Sequence, residues 1–423
     1  MVRKEKLPWY EWLTFFMKKS IKILSEYFYP GLTATGKLMT QLSGELSKKG
    51  FEVEVYTCRH NRMAKSKVKL PLKEIYNDVK INLLPCVNLN KENLLFRIIN
   101  WLSFSFHLLI NLSFKSSKDI LFIVTNPPIL PLVGLFFNIV RGQRFIPIIY
   151  DIYPDIAVAL EVAEENSFFV KLWKRLNNVI YGRASGIVVI SKQMKQTLVN
   201  NTKSNSLESK IEVIYNWEDA EFIKPLEKEN NTFAKKNGYN EVLTVLYSGN
   251  FGLYNDLCTI IYAAERVQKL PVKFVFIGDG AQKKKLEEIV RDKDLKNVDF
   301  HPYQPFEKLP EILTCADISI VSEDKRVNGL CSSSKLYSSL ASGRAVLALV
   351  NKDSDIAETI KNCNCGFIVN QEDVQQVVNQ LKFYLKNRNE LKKMGKKARK
   401  YFEEHYTINH SIEKYVNMLK ELK

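Results

Sequence analysis

The stretch Phe276-Ile277-Gly278-Asp279-Gly280, together with Ser332-Ser333-Ser334-Lys335-Leu336-Tyr337-Ser338 and the SLASGRAVLA that completes it to Ala348, decides how this chain folds. The first ends a buried apolar run, VKFVFIG, in glycines that let backbone approach a ligand closely. The second reads as a loop of small residues opening a helix whose first amides lack intrahelical partners. Strand and helix patterns alternate between the two, so both fall at carboxyl ends of parallel strands, the edge where open α/β sheets bind ligands. The pair describes a phosphate and nucleotide site.

Outward from these landmarks, VLTVLYS, VKFVFIG, VDFH, ISIVS, AVLALV and CGFIV read as strands separated by helical segments, a parallel sheet covered on both faces. The first half repeats the rhythm. IKILSEY is a strand, 37–49 an amphipathic helix stopped at Lys48-Lys49-Gly50, and FEVEVYT a second strand. A polar lysine-rich loop at 60–80 precedes a strand at 79–85, a long apolar helix at 94–114, then ILFIVT, a helix at 129–140, FIPIIY, a helix ending near Tyr181, and GIVVIS. IEVIYNW closes this half, and the polar EDAEFIKPLEKENN after it is the linker candidate. The expected architecture is α/β: two Rossmann-like, doubly wound parallel-sheet domains facing a central cleft. Residues 1–16 form an N-terminal extension or interfacial segment, 17–215 the first domain, 216–405 the second, and 406–423 a helix crossing back to the first. A cleft with a nucleotide edge points to a sugar-nucleotide enzyme.

Length and composition agree. A chain of 423 residues, 46% hydrophobic and 26% charged, is sized for two or three cored domains and is not disordered in composition. Seven scattered cysteines, with Cys363 and Cys365 one residue apart, fit neither a disulfide framework nor a metal knuckle and read as reduced thiols of a cytoplasmic protein. The formal net charge is +16, and residues 1–210 hold 30 Lys and Arg against 16 Asp and Glu, while residues 211–423 hold 32 against 30. The basic excess therefore belongs to the first domain, which suits an anionic surface or substrate there.

The start of the chain lacks an export-signal pattern, since Glu5, Pro8 and Glu11 interrupt it. Two readings of 1–16 are open: an interfacial segment anchored by Trp9, Tyr10, Trp12, Phe15 and Phe16, or an extension upstream of Met17. The apolar 94–114 is about as long as a membrane span, but Arg97, Asn100, His107 and Asn111 interrupt it. The expected role is a membrane-docking helix using Trp101, Phe104 and Leu108 at helical spacing, with Lys91, Arg97, Lys115 and Lys118 around its ends; a buried structural helix and a true span are the alternatives.

Several near-motifs carry less. Gly31 to Leu38, GLTATGKL, approaches a nucleotide-hydrolase phosphate loop, with IIYD ending at Asp151 as its acidic strand, but Leu38 stands where a magnesium-binding hydroxyl is required. Thr35 and Gly36 fit better as a loop facing a donor diphosphate across the cleft. Asp292-Lys293-Asp294 lies in a charged helix end and reads as solvated surface, so no metal site is expected, and His107 and His301 read as packing or surface residues. Asp151 and Asp155 in YDIYPD follow a strand: a carboxylate there orients or deprotonates an acceptor hydroxyl, or caps the next helix, with function favoured for Asp151 and capping for Asp155.

SEYFYP, VTNPPILPLVGL, YDIYPDIAVAL, GIVVISKQM, IEVIYNW, YSGNFG, FIGDG, LPEILTCADISIVS and SSSKLYSSLASGRAVLA, in this order over about 17–406, resemble glycosyltransferase family 4 with the GT-B fold. Within that family the run is most similar to the WbuB-like and WcaI-like branch of O-antigen, colanic acid and capsule enzymes. The resemblance implies a retaining, metal-independent transferase without a cofactor. It would move a sugar from a nucleoside diphosphate, UDP by preference, to a polyprenyl-diphosphate-linked acceptor. Its setting would be the cytoplasmic face of an anionic membrane, with no role for nucleic acid.

By the same resemblance Gly249 and Asn250 lie at the mouth of the second domain's first strand, Gly278, Asp279 and Gly280 beside the nucleoside, and Tyr303 with Gln304 against the base edge. Ser333, Ser334 and Lys335 meet the diphosphate, with Leu336 and Ser338 on the same helix. Hydroxyls and a lysine at a helix start suit phosphate on physical grounds too. The family's two glutamates, eight positions apart, fall here on Leu330 and Ser338, and Leu253, Tyr254 and Asn255 replace its basic residues after the GN loop. A same-fold UDP-sugar epimerase and a catalytically inactive partner subunit are the alternative functions.

Overall fold

The computed structural model describes residues 19–31, 33–59, 71–90, 93–202 and 205–422. The expectations for 1–16 and the Met17 start lie outside them.

Two sheets organise the chain. The first contains β1 (Ser20–Leu24), β2 (Glu52–Cys58), β3 (Lys73–Tyr76), β4 (Val79–Leu84), β5 (Ile120–Val124), β6 (Phe145–Ile149), β7 (Ile187–Val189) and β8 (Ile211–Val213), in the order β3-β4-β2-β1-β5-β6-β7-β8. All pairings are parallel except β3 with β4. The second contains β9 (Leu243–Asn250), β10 (Val272–Asp279), β11 (Val298–His301), β12 (Ile318–Ser322), β13 (Ala345–Leu349) and β14 (Gly366–Val369), parallel throughout in the order β11-β10-β9-β12-β13-β14. Central strands such as β5, β6, β12 and β13 are buried at every residue, as helices on both faces require.

Each order reverses direction once, between β1 and β5 in the first sheet and between β9 and β12 in the second. At such a reversal the covering helices part to opposite faces and leave a crevice beyond the strand ends. The molecule thus has two built crevices, one per lobe.

The short edge strand β3 was not expected from the sequence. It has no buried residue, so it leaves no apolar alternation; the Asn77-Asp78 turn, both residues at positive φ (49° and 61°), folds it back on β4.

The last helix, Ile408–Glu421, returns to the first lobe and buries Ile412, Tyr415 and Leu419 beside Ile21, Phe122 and Trp217. Each such side chain, fully buried, contributes about 1.5–3 kcal/mol. The segment after β8 is pinned as well: the Trp217 indole donates to Gln41 at 2.9 Å, Glu218 is buried against Lys37, and its amide donates to the Tyr406 carbonyl.

Candidate functional site

The second lobe's crevice is built from glycine. At the carboxyl ends of β9 and β10, Gly278 pairs with Gly249 and Asp279 with Asn250. Gly249, Gly278 and Gly280 hold φ of 126°, 143° and 149°, conformations that favour glycine. A Cβ on Gly278 would stand 2.0 Å from the Gly249 oxygen, and one on Gly280 would meet Asn250 Oδ1 at 2.4 Å. The strand ends therefore offer bare backbone, with the Asn250 and Asp279 side chains exposed beside it. Asp279 Oδ1 accepts from the Gly280 amide, and Asn250 Nδ2 donates to the Tyr254 hydroxyl at 3.3 Å.

Lys335 opens the helix Lys335–Ala341 directly over this edge. Its ammonium lies 5.1 Å from the ring centre of Tyr247 and, among the described residues, has no ion-pair or hydrogen-bond partner. Burial pulls it down to about 8, with Glu323 and Cys331 pulling the other way. Tyr247 is fully buried, and its hydroxyl donates to the Asn250 carbonyl at 2.7 Å, so one side chain fixes the strand end and underlies the cation. The buried Ser333 hydroxyl likewise has no partner among the described residues. An unpaired ammonium and an unpaired buried hydroxyl at a crevice are suited to phosphate oxygens.

Glu323, directly after β12, was missed. It is 7% exposed, accepts from the Ser333 amide at 2.8 Å, and is pushed up to about 7 by burial, with the Ser333 amide and Lys335 opposing. It consumes one of the amides expected to be free at the helix start. Because that helix has seven residues and no side-chain cap, positive charge at this crevice comes from side chains, Lys335 and also Lys283, whose ammonium donates to the Gly278 carbonyl at 3.3 Å. The available signal was position, the first of two adjacent carboxylates, Glu323 and Asp324, directly after a buried strand at the sheet's reversal.

Leu336 is buried in the core, and Ser338 Oγ donates to its own helix at the Lys335 carbonyl, 3.1 Å away. Gln304 folds onto the Pro302 carbonyl and Tyr303 is largely exposed beside Asp279. Thr35 and Gly36 lie in the first turn of the helix Ala34–Lys48, where the Thr33 hydroxyl already accepts from the Gly36 amide. Lys37 pairs with Glu218 and lies 5.5 Å from the Phe306 ring centre, while Leu38 is buried in the core. This loop thus faces the second lobe, with its lysine already neutralised.

Asp151 comes to the lobes' junction. It forms a β-bridge with Cys331, and the Ile152 amide donates to the Leu330 carbonyl at 2.8 Å, joining the first lobe to the loop ahead of Lys335. Burial pushes the Asp151 carboxyl up to about 6. A second stitch ties Lys192 to Glu358 at 2.8 Å and the Asp355 amide to Gln193 at 2.9 Å. Asp155 goes elsewhere: it lies in the first turn of the helix Asp155–Ala159, makes no cap, and pairs with Lys174 at 3.3 Å.

The residues expected to dock on a membrane do not share an exposed face. Phe104 and Leu108 are fully buried in the first lobe's core with Leu112, and Trp101 is half-buried. The outward face of the helix Leu94–Ser113 is instead Leu95, Ile99, Leu102, Phe106 and Ile110. Both stripes are apolar at helical spacing, and the polar Asn100 marked the inner one: its amide exchanges hydrogen bonds with the Leu89 backbone at 2.9 and 3.0 Å. The helix is long and apolar enough to cross a membrane by composition, but its inner face is packed into the core.

Residues 228–401 match the family described as "Glycosyl transferases group 1". The chain is 24% identical over 282 residues to "Probable glycosyltransferase WbjE" of Pseudomonas aeruginosa, covering 66% of this chain and 69% of that protein. It is 34% identical over 99 residues, 23% of this chain and 24% of the relative, to "Putative colanic acid biosynthesis glycosyl transferase WcaI" of Escherichia coli strain K12. Among solved structures, sucrose-phosphate synthase from Thermosynechococcus elongatus superposes with a TM-score of 0.77 at 15% identity, covering 96% of this chain and 99% of that one. Anabaena HepE in complex with UDP-glucose gives 0.71 at 12% identity, covering 95% and 99%. The fold is GT-B, and residues 228–401 of this chain are a glycosyl transferases group 1 domain.

Proposed function

We propose that this chain is a retaining glycosyltransferase of family 4, moving a sugar from a nucleoside diphosphate, UDP by preference, to a polyprenyl-diphosphate-linked acceptor in bacterial surface-polysaccharide assembly. The observation that carries this reading is the unpaired Lys335 ammonium over the bare Gly249 and Gly278 strand ends, opposite the Asp151 loop. The printed names of the relatives, one of them a colanic acid enzyme, support the pathway class, and UDP-glucose bound to HepE supports the donor class.

In this reading Gly249, Asn250, Gly278, Asp279 and Gly280 bound the nucleoside, with Tyr303 near its base. Lys335, Ser333 and Ser334 take the diphosphate and stabilise the charge that grows on it as the glycosidic bond breaks. Asp151 orients or accepts the proton of the attacking hydroxyl, and positioning supplies the rest of the rate. Leu330 and Ser338 leave the family's two glutamate positions without a carboxylate, and Glu323 restores one on the neighbouring strand end. The basic, apolar-faced first lobe rests on the cytoplasmic side of an anionic membrane.

The test is a panel of nucleoside diphosphate sugars offered with a lipid-linked saccharide, products being read by mass and anomeric configuration. One donor should be consumed with retention, and turnover should persist in excess EDTA, since Lys335 carries the diphosphate charge. Interconversion of free sugar nucleotide without acceptor would identify an epimerase. Donor binding without turnover would identify an inactive subunit.

The pH profile offers a second check. A diphosphate favours protonated Lys335, so kcat/KM for the donor should fall as pH rises through about 8. The Glu323 carboxylate pulls Lys335 upward, so Glu323→Gln should move this alkaline limb to lower pH. A limb that stays in place in the folded variant would remove Lys335 as its source.

A further inference from the structure

The first lobe has its own crevice where its sheet reverses, between the ends of β1 and β5, and it holds a cavity of about 260 Å³. Glu26 and Tyr27 line it from the end of β1, Asn126 from the end of β5, and Arg97, Asn100 and Trp101 from the helix Leu94–Ser113. Asn100 exchanges one donated and one accepted hydrogen bond with the Leu89 backbone and serves as wall. Arg97 is half-buried, with its guanidinium 5.3 Å from the Trp101 ring centre and no ion-pair or hydrogen-bond partner among the described residues. The Tyr150 amide donates to Thr125 Oγ1 at 3.1 Å, so the end of β5 that carries Asn126 lies beside the end of β6 that leads into Asp151.

A guanidinium shielded on one side by an aromatic ring and unpaired on the other is built for a planar or tetrahedral anion. The same helix turns Leu95, Ile99, Leu102 and Phe106 outward from the cavity's rim. The adjoining helices Pro131–Arg141 and Phe168–Arg183 also expose large apolar residues, Phe136, Ile139, Phe168 and Phe169 among them. Cation and apolar track thus lie on one helix, head and tail of a single amphiphile.

We propose that this cavity binds the phosphorylated head of an amphiphilic acceptor, a saccharide on a long isoprenoid phosphate or diphosphate, with Arg97 on the phosphate and the chain laid along the outward face of the helix Leu94–Ser113. Trp101 and Asn126 border the first sugar, and its reacting hydroxyl points toward Asp151. This rests on the transferase reading for the saccharide but not for the lipid phosphate, which separates the two tests.

The probes are a long-chain isoprenyl phosphate in detergent micelles, the corresponding isoprenol, and inorganic phosphate, with binding to the full chain followed directly. The isoprenyl phosphate should bind well and the other two poorly. Arg97→Gln should weaken it about ten- to a hundredfold, the loss of one charge-assisted contact. Ile99→Ser with Leu102→Ser and Phe106→Ser should weaken long-chain but not short-chain phosphates, while donor binding stays at the parent level in both variants.

In turnover the same variants should raise the acceptor KM and leave the donor KM unchanged. Selective binding that depends on Arg97 supports the inference even where no donor is turned over. Equal binding of isoprenyl phosphate and isoprenol, or parent-level binding by folded Arg97→Gln, overturns it. Turnover with a lipid-linked acceptor that is indifferent to Arg97→Gln also overturns it and leaves the transferase function standing.

Discussion

Lys335→Met should lower donor-dependent turnover about a hundredfold, in the range seen when one preorganised electrostatic contact to a developing anion is removed. The same change should raise thermal stability. Methionine keeps most of the apolar stem over Tyr247 and removes the ammonium, which among the described residues has no counter-ion. The folded lysine titrates near 8 rather than at its ordinary 10.5 because burial penalises the charged form. Between about 8 and 10.5 the folded state therefore binds fewer protons than the unfolded one, so this group's contribution to stability rises with pH across that window. Below about 8 its full cost is present, on the order of 1–3 kcal/mol after allowance for partial exposure.

Asp151 and Glu323 have the opposite sign and the same consequence. Their folded values, about 6 and about 7, exceed the ordinary carboxylate values, so the folded state binds more protons in between and stability falls as pH rises through those windows. At neutral pH the ionised forms of all three groups are disfavoured by burial. Such a concentration of buried ionisable groups is what a site shaped for a ligand shows, and in the proposed reading the donor diphosphate brings the partner that the Lys335 ammonium lacks. Melting at pH 7 and initial rates with saturating donor check both halves of the first prediction. A folded Lys335→Met that retains turnover and donor affinity would remove Lys335 from the site.

The sequence made the second sheet legible almost residue by residue, because its strands are continuous apolar runs punctuated by glycine or by polar loops: VDFH and ISIVS coincide with β11 and β12. It did not reveal β3, whose residues bury nothing, nor which stripe of the helix Leu94–Ser113 faces inward, because leucine, isoleucine and phenylalanine occupy both. The glycines and Lys335 were visible as types at strand and helix ends. Glu323 was not, because its meaning lies in the Ser333 amide ten residues away and in the reversal between β9 and β12. Arg97 was read for its charge alone; its cavity exists only once β1, β5 and the helix are brought together. Local pattern carries the elements, whereas sidedness and convergence require the sheet order.

Gly278→Ala should be among the most damaging single substitutions in the second lobe, by about 4 kcal/mol or more. The added Cβ would lie 2.0 Å from the Gly249 oxygen, and backbone cannot yield there without breaking the register of β9 with β10. A φ of 143° adds strain of about 1–3 kcal/mol for any residue with a side chain. Against a total stability of about 5–15 kcal/mol for a domain, this should melt the second lobe well below the first or leave the chain insoluble. Two other glycines separate space from strain. Gly142 has φ of 67° with nothing within 4 Å of its Cβ position, so Gly142→Ala should cost about 1 kcal/mol from conformation alone. Gly44 lies inside the helix Ala34–Lys48 with open space, so Gly44→Ala should stabilise by about 0.5–1 kcal/mol. Melting curves of the three variants, with donor binding measured on each, should therefore rank Gly278 far below Gly142 and Gly142 below Gly44. A Gly278→Ala protein that melts with the parent and binds donor would mean that the ends of β9 and β10 do not approach as closely as the paired glycines require.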